Sequence, residues 1–131
     1  MLINTSGVIK WNDKKASIKL QFPVIFLDNF NYNISVRLLH IDSEDSIPDN
    51  YFSLQSTAID KNNINSNQEI YSFRSTGSNY IFNEPIQKRE YKIQLRELHT
   101  SEFVLTSLKP VNLSLSKIDL IFEIIRDARI Q

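Results

Sequence analysis

The chain contains two histidines, His40 and His99, and these are its natural candidates for acid–base work. A nucleophile–histidine–acid relay needs a hydroxyl at one ring nitrogen and a carboxylate at the other. His40 is followed by Asp42 and Ser43, and His99 by Thr100, Ser101 and Glu102. Neither setting matches a nucleophile motif, and in a chain with 15 serines such neighbours arise from composition alone. Both histidines read as partly exposed residues at strand-to-turn junctions, and no catalysis is expected of them. There is no cysteine, which removes thiolate catalysis, disulfides, zinc–thiolate sites and iron–sulfur clusters. Two histidines could hold a metal only with carboxylate help, and nothing fixes such a spacing.

The densest acidic group is Asp42, Glu44, Asp45 and Asp49. Oxygen-rich loops can bind calcium, but this one lacks the ordered ligand spacing and the turn glycine of an EF-hand, so a solvated loop is the plainer reading. Gly7 and Gly77 are the only glycines and lie far apart, which excludes a glycine-rich phosphate loop. Basic residues are scattered (Lys14, Lys15, Lys88, Arg89, Arg126 and Arg129) without the aromatic interleaving that stacks bases. No enzyme, cofactor or metal is expected, and nucleic acid is an unexpected partner.

Surfaces are what remains. Trp11, Tyr32, Tyr51, Tyr71 and Tyr80 are candidates for a ligand face that stacks sugars or meets a protein, although at least half are expected to pack in the core. Ile121 and Ile125 are candidates for an interface. If their segment is a strand, they lie opposite Ile118, Leu120, Phe122 and Ile124. A strand apolar on both faces must be covered on both, by the domain or by a partner.

The elements that must carry these residues show period-two alternation again and again. Gly7 to Trp11 is a short first strand. Ala16 to Phe22 puts Ile18, Leu20 and Phe22 on one face, and Pro23 ends it. Asn31 to Ile41 alternates Tyr32, Ile34, Val36 and Leu38, then changes parity to Leu39 and Ile41, as a β-bulge produces. Tyr51 to Thr57, Gln68 to Ser75, Asn79 to Asn83, Glu90 to Leu98 and Glu102 to Ser107 follow. A polar loop spans Asp60 to Asn67, and Thr76-Gly77-Ser78 is a tight turn. Val111, Leu113 and Leu115 form one further alternating set, and Ile118 to Ile124 another of opposite parity. The last segment also fits a helix, with Ile118, Ile121, Phe122 and Ile125 on one face and Ser116 with Asp119 as a capping box. Strand is preferred because two alternating sets run in succession.

The 131 residues suit one domain, spanning 1–131. Eighteen Ile, 13 Leu and 8 Phe against 3 Ala favour sheet over helix. With no strand–helix–strand rhythm, the expected fold class is all-β: an antiparallel β-sandwich of eight or nine strands with jelly-roll order. Fifteen basic and 15 acidic residues cancel, which argues against a phosphate-neutralising task and leaves self-association unopposed. No apolar run is long enough to span a membrane. The start, Met1 to Thr5, has no basic segment leading into an apolar one, so a virion or intracellular location is expected. Asn4, Asn33 and Asn112 begin Asn-x-Ser/Thr triplets, which 13 Asn and 15 Ser supply by composition.

The stretch Glu84-Pro85-Ile86, Tyr91 to Glu97, Val111 to Leu115 and Ile118 to Ile124 resembles the end of small single jelly-roll virion proteins, the minor capsid or penton-like proteins of Polinton-like and virophage-like elements. The shared pattern is an Ile-x-Ile-x-Leu strand, a short loop, a second strand and a closing apolar strand, over about forty residues. The resemblance implies a structural virion subunit that self-associates, as a ring, with itself or with other structural subunits. It transfers no catalytic residue. The chain lacks the basic N-terminal arm of many capsid proteins, which counts against direct genome packaging. The expected function is therefore non-enzymatic assembly. The alternative is a carbohydrate- or ligand-binding β-sandwich module.

Overall fold

A computed structural model describes residues 1–22, 30–56, 68–85, 89–94 and 102–126. Nine strands follow in order: β1 (Leu2–Lys10), β2 (Lys15–Gln21), β3 (Asn31–Asp42), β4 (Asn50–Ser56), β5 (Gln68–Ser75), β6 (Tyr80–Asn83), β7 (Tyr91–Gln94), β8 (Phe103–Ser107) and β9 (Ser116–Arg126). No helix occurs among the described residues. All pairings are antiparallel, and the strands form one sheet in the order β5-β4-β8-β2-β1-β9-β3-β6, with β7 also on β3.

The pairs nest. β1 lies with β9, β2 with β8, β3 with β6 and β7, and β4 with β5. Cross-pairs β1–β2, β3–β9 and β4–β8 wind this nest up. That is the jelly-roll order. Because the β1–β2 ladder runs unbroken, the two layers of the expected sandwich stay joined and the sheet curls nearly into a barrel.

Alternation drives the curl. β9 buries Ser116, Ile118, Leu120, Phe122 and Ile124, and β4 buries Asn50, Phe52, Leu54 and Ser56. Burying a large aliphatic or aromatic side chain contributes about 1.5–3 kcal/mol, and the buried side chains form one contiguous cluster. Within it, Phe52 stacks on Phe73 at 5.3 Å, and Phe22, Phe103 and Phe122 meet at 6.2–6.4 Å. The helical reading of the last segment is excluded: Ser116–Arg126 is the longest partner of β3 and also pairs with β1.

Two boundaries differ from expectation. β1 starts at Leu2 rather than Gly7, because the Met1 carbonyl accepts from Ile124 N at 2.8 Å and the Met1 ammonium donates to Ile124 O at 3.1 Å. Val111 to Leu115 is not a strand. Val111 N donates to Asp13 O at 2.8 Å, and Asn112 Oδ1 accepts from Asp13 N at 3.0 Å. This segment ties down the β1–β2 turn, where Asp13 has a φ of 59°. Its alternation reflects Val111 burying into the core and Leu113 packing beside it, while Leu115 points to solvent.

Candidate functional site

The outer face of the sheet is where the unabsorbed apolar residues lie. On β9 the outward residues are Lys117, Asp119, Ile121, Glu123 and Ile125. β9 has a strand on each side, so its outer face is defined by both registers. Ile121 stands between Asn4 of β1 and Leu38 of β3, and Glu123 stands between Leu2 and Ser35. Leu2 is therefore the diagonal neighbour of both Ile121 and Ile125, within reach of large side chains. Leu2 is 58% exposed and Ile125 48%, while Ile121 and Leu38 are half-buried. A bulge between Val36 and Leu38 leaves Arg37 as the extra residue and turns Leu38 outward. Arg37 then reaches Glu123, with Nη1 3.4 Å from Oε2.

The same face is concave beside this ridge. A trough of about 560 Å³ is lined by Asn4, Ser6, Gln21, Leu38, Asp119 and Ile121 among others. A second, of about 530 Å³, continues it over Gly7 between Lys19 and Lys117. Gly7 is set by the close approach of β1 and β2. A Cβ there would fall 2.0 Å from the Lys19 carbonyl oxygen, so only glycine lets β1 approach β2 this closely.

His40 lies on this outer face, at the end of β3. Its Nε2 is 3.4 Å from Asp42 Oδ1 and its Nδ1 3.8 Å from Asp119 Oδ2, while Phe82 meets its ring edge-on at 6.0 Å. Both ring nitrogens thus face carboxylates, whereas a relay to a nucleophile needs one facing a hydroxyl. His99 lies outside the described residues. The acidic loop does not converge either. Asp49 is engaged by Arg74, through Nε to Oδ1 and Nη2 to Oδ2, each at 3.1 Å. This pairing holds the Asp49 carboxyl below its ordinary value. Among the described residues no group of three or more His, Asp or Glu side chains is placed to hold a metal ion.

The five aromatic candidates do not share a face. Trp11 is buried, lies tilted against Phe52 at 5.9 Å and donates from Nε1 to Ser116 Oγ at 2.7 Å. Tyr32 and Tyr71 are half-buried against the core, and burial pushes the Tyr71 phenol up. Tyr51 is exposed but carries the Arg74 guanidinium over its ring at 5.4 Å. Tyr80 is exposed, and Phe82 stands two residues on along the same side of β6.

Ile121 and Ile125 lie on the outer face of β9, as the alternation predicts. The residues that surround them were not foreseen. Leu2 needed a strand beginning five residues earlier, and Leu38 needed the bulge placed at Arg37. Comparison with protein families, with curated proteins and with solved structures finds no match to this chain. No helix among the described residues is long and apolar enough to cross a membrane.

Proposed function

We propose that this chain is a non-enzymatic assembly subunit that associates with further copies of itself through the outer face of β1, β9 and β3. The observation that carries this reading is the apolar group formed by Ile121 and Ile125 of β9, whose two edges are already paired, with Leu2 of β1 and Leu38 of β3 beside them. Such a group gains nothing from solvent exposure, and single-sided alternation would place polar residues there.

Three features favour a second copy as the occupant. A ridge (Leu2, Ile125) and a trough (Asn4, Ser6) sit side by side on one face, so a two-fold operation can seat each ridge in the other copy's trough. Charges of both signs, Lys117 with Asp119 and Arg37 with Glu123, border the group, and the chain as a whole has no net charge. With Gln21 of β2 on the trough, four adjacent strands (β2, β1, β9 and β3) spaced ~4.8 Å, along the 11 residues of β9, offer a footprint of roughly 700 Å². A stable interface takes about 800 Å² per partner.

The jelly-roll order is the fold that the likeness to small virion proteins requires, and it makes a particle shell the setting we favour. Sedimentation over a concentration series tests the core of the proposal. A mass that rises to a multiple of 15.3 kDa supports it. A monomer that persists to high micromolar concentration overturns it.

A further inference from the structure

The barrel is open along one line. β5 lies at one end of the strand order and β6 and β7, each paired with β3, at the other, and among the described residues no ladder joins the two ends. Side chains bridge part of this seam, with Arg89 Nη1 3.6 Å from Glu69 Oε2. At the other end, the four-residue connection from Thr76 to Asn79 closes it, with Gly77 at a φ of 85°. Ser43 N and Ile47 N donate to Asn79 O and Ser78 O, each at 2.9 Å, and so fix that turn to the loop after β3.

Between β5 and β6 this leaves a cleft of about 290 Å³, lined by Arg74, Thr76, Ser78, Tyr80, Phe82 and Asn83 among others. Two features give it a chemical character. Tyr80 and Phe82 alternate on β6, so both rings project on one side, and they are 56% and 54% exposed. The polar lining is rich in hydroxyls and carries an amide, with one guanidinium already held by Asp49 and stacked over Tyr51.

We propose that this seam cleft binds one or two rings of an uncharged saccharide. Aromatic faces exposed beside fixed hydrogen-bonding groups suit the apolar side of a sugar ring and its hydroxyls together. The Asp49 carboxylate offsets the Arg74 charge, so the cleft has no net cation to reward a phosphate or a sugar acid. The volume is near the lower end for a small-molecule site, which limits the ligand to a short unit. Phe82 meets His40 at the border of the assembly face, but the cleft uses neither Leu2, Leu38, Ile121 nor Ile125.

The test is an amide NMR titration of the full chain with cellobiose, lactose, maltose and N,N′-diacetylchitobiose, with sialyllactose as the acidic comparison. At ~10 mM sugar, a millimolar dissociation constant gives near-saturating shifts. The proposal expects shifts centred on Arg74 to Asn83 with at least one neutral sugar. It also expects affinity to fall at least about tenfold in Tyr80→Ala and in Phe82→Ala. Both side chains are exposed, so a dispersed spectrum verifies that each variant stays folded. Absence of shifts with all four neutral sugars overturns the proposal. So do shifts confined to another part of the chain, binding of sialyllactose alone, and affinities unchanged in both variants. Ile121→Glu serves as the control and leaves sugar binding as it was.

Discussion

Asn50 and Lys109 exchange two hydrogen bonds, as paired backbone units do. Asn50 Nδ2 donates to Lys109 O and Lys109 N donates to Asn50 Oδ1, both at 2.9 Å. The same Oδ1 also accepts from Tyr51 N at 3.0 Å. Asn50 is buried at the start of β4, and the turn it holds carries the chain out of β8. No other side chain has this shape and this donor–acceptor pair at that length. Asn50→Ala removes the acceptor of Lys109 N and Tyr51 N, while Lys109 O keeps the 2.7 Å bond from Ser107 Oγ, and should cost about 1–3 kcal/mol in urea unfolding. Asn50→Asp should recover only part of that, since it removes the donor to Lys109 O.

Gly7 makes a second prediction. A methyl group there meets the β2 backbone at Lys19, which cannot move aside as a flexible side chain would. Gly7→Ala should therefore destabilise by about 1–3 kcal/mol, the usual range for overpacking, despite the higher strand propensity of alanine. The denaturation midpoint measures it. An unchanged midpoint would show that β1 and β2 can separate without loss.

Trp11 and Ser116 link the end of β1 to the start of β9 through a buried 2.7 Å hydrogen bond. Trp11→Phe keeps a ring near Phe52 but removes the donor to Ser116 Oγ, which is left with only its 3.5 Å bond to Ser114 O, and should cost about 2–4 kcal/mol with the lost indole area included. Ser116→Ala leaves the buried Trp11 N–H without its acceptor and should cost about 1–3 kcal/mol, with a shift in the emission of the chain's single tryptophan.

These positions also show what the sequence could and could not convey. Strand periodicity was legible wherever one face is buried, as in β9, where Ile118 to Ile124 alternate without a break. The bulge in β3 was legible as a change of parity near Leu38, although its extra residue proved to be Arg37. Val111 to Leu115 misled because alternation records which side chains are buried, not whether the backbone has a ladder partner. The aromatic set misled for a related reason. Residue type cannot distinguish Trp11, inside the core, from Tyr80, outside it, when both belong to short segments. The register that brings Leu2, Leu38, Ile121 and Ile125 together is a long-range property with no local signal.

The Asp49–Arg74 pair yields a prediction in pH. The two-point hydrogen bond from Arg74 lowers the Asp49 pKa and raises that of Arg74. A carboxyl whose folded value is depressed lends stability above its unfolded value of about 3.9, and that contribution disappears as pH falls through the folded value. Arg74→Gln should move the Asp49 titration midpoint, followed by carboxyl NMR, upward toward that ordinary value. Because the pair is exposed, unfolding at neutral pH should change little.

The location of the assembly face is tested most directly by light-scattering mass. Wild type is compared at matched high-micromolar concentration with a Leu2→Ser, Ile125→Lys double variant. Both side chains are exposed in the single chain, so the variant should fold with an unchanged circular dichroism spectrum. The account predicts an oligomeric mass for wild type and 15.3 kDa for the variant. Equal masses for the two, whether oligomeric or monomeric, would contradict it.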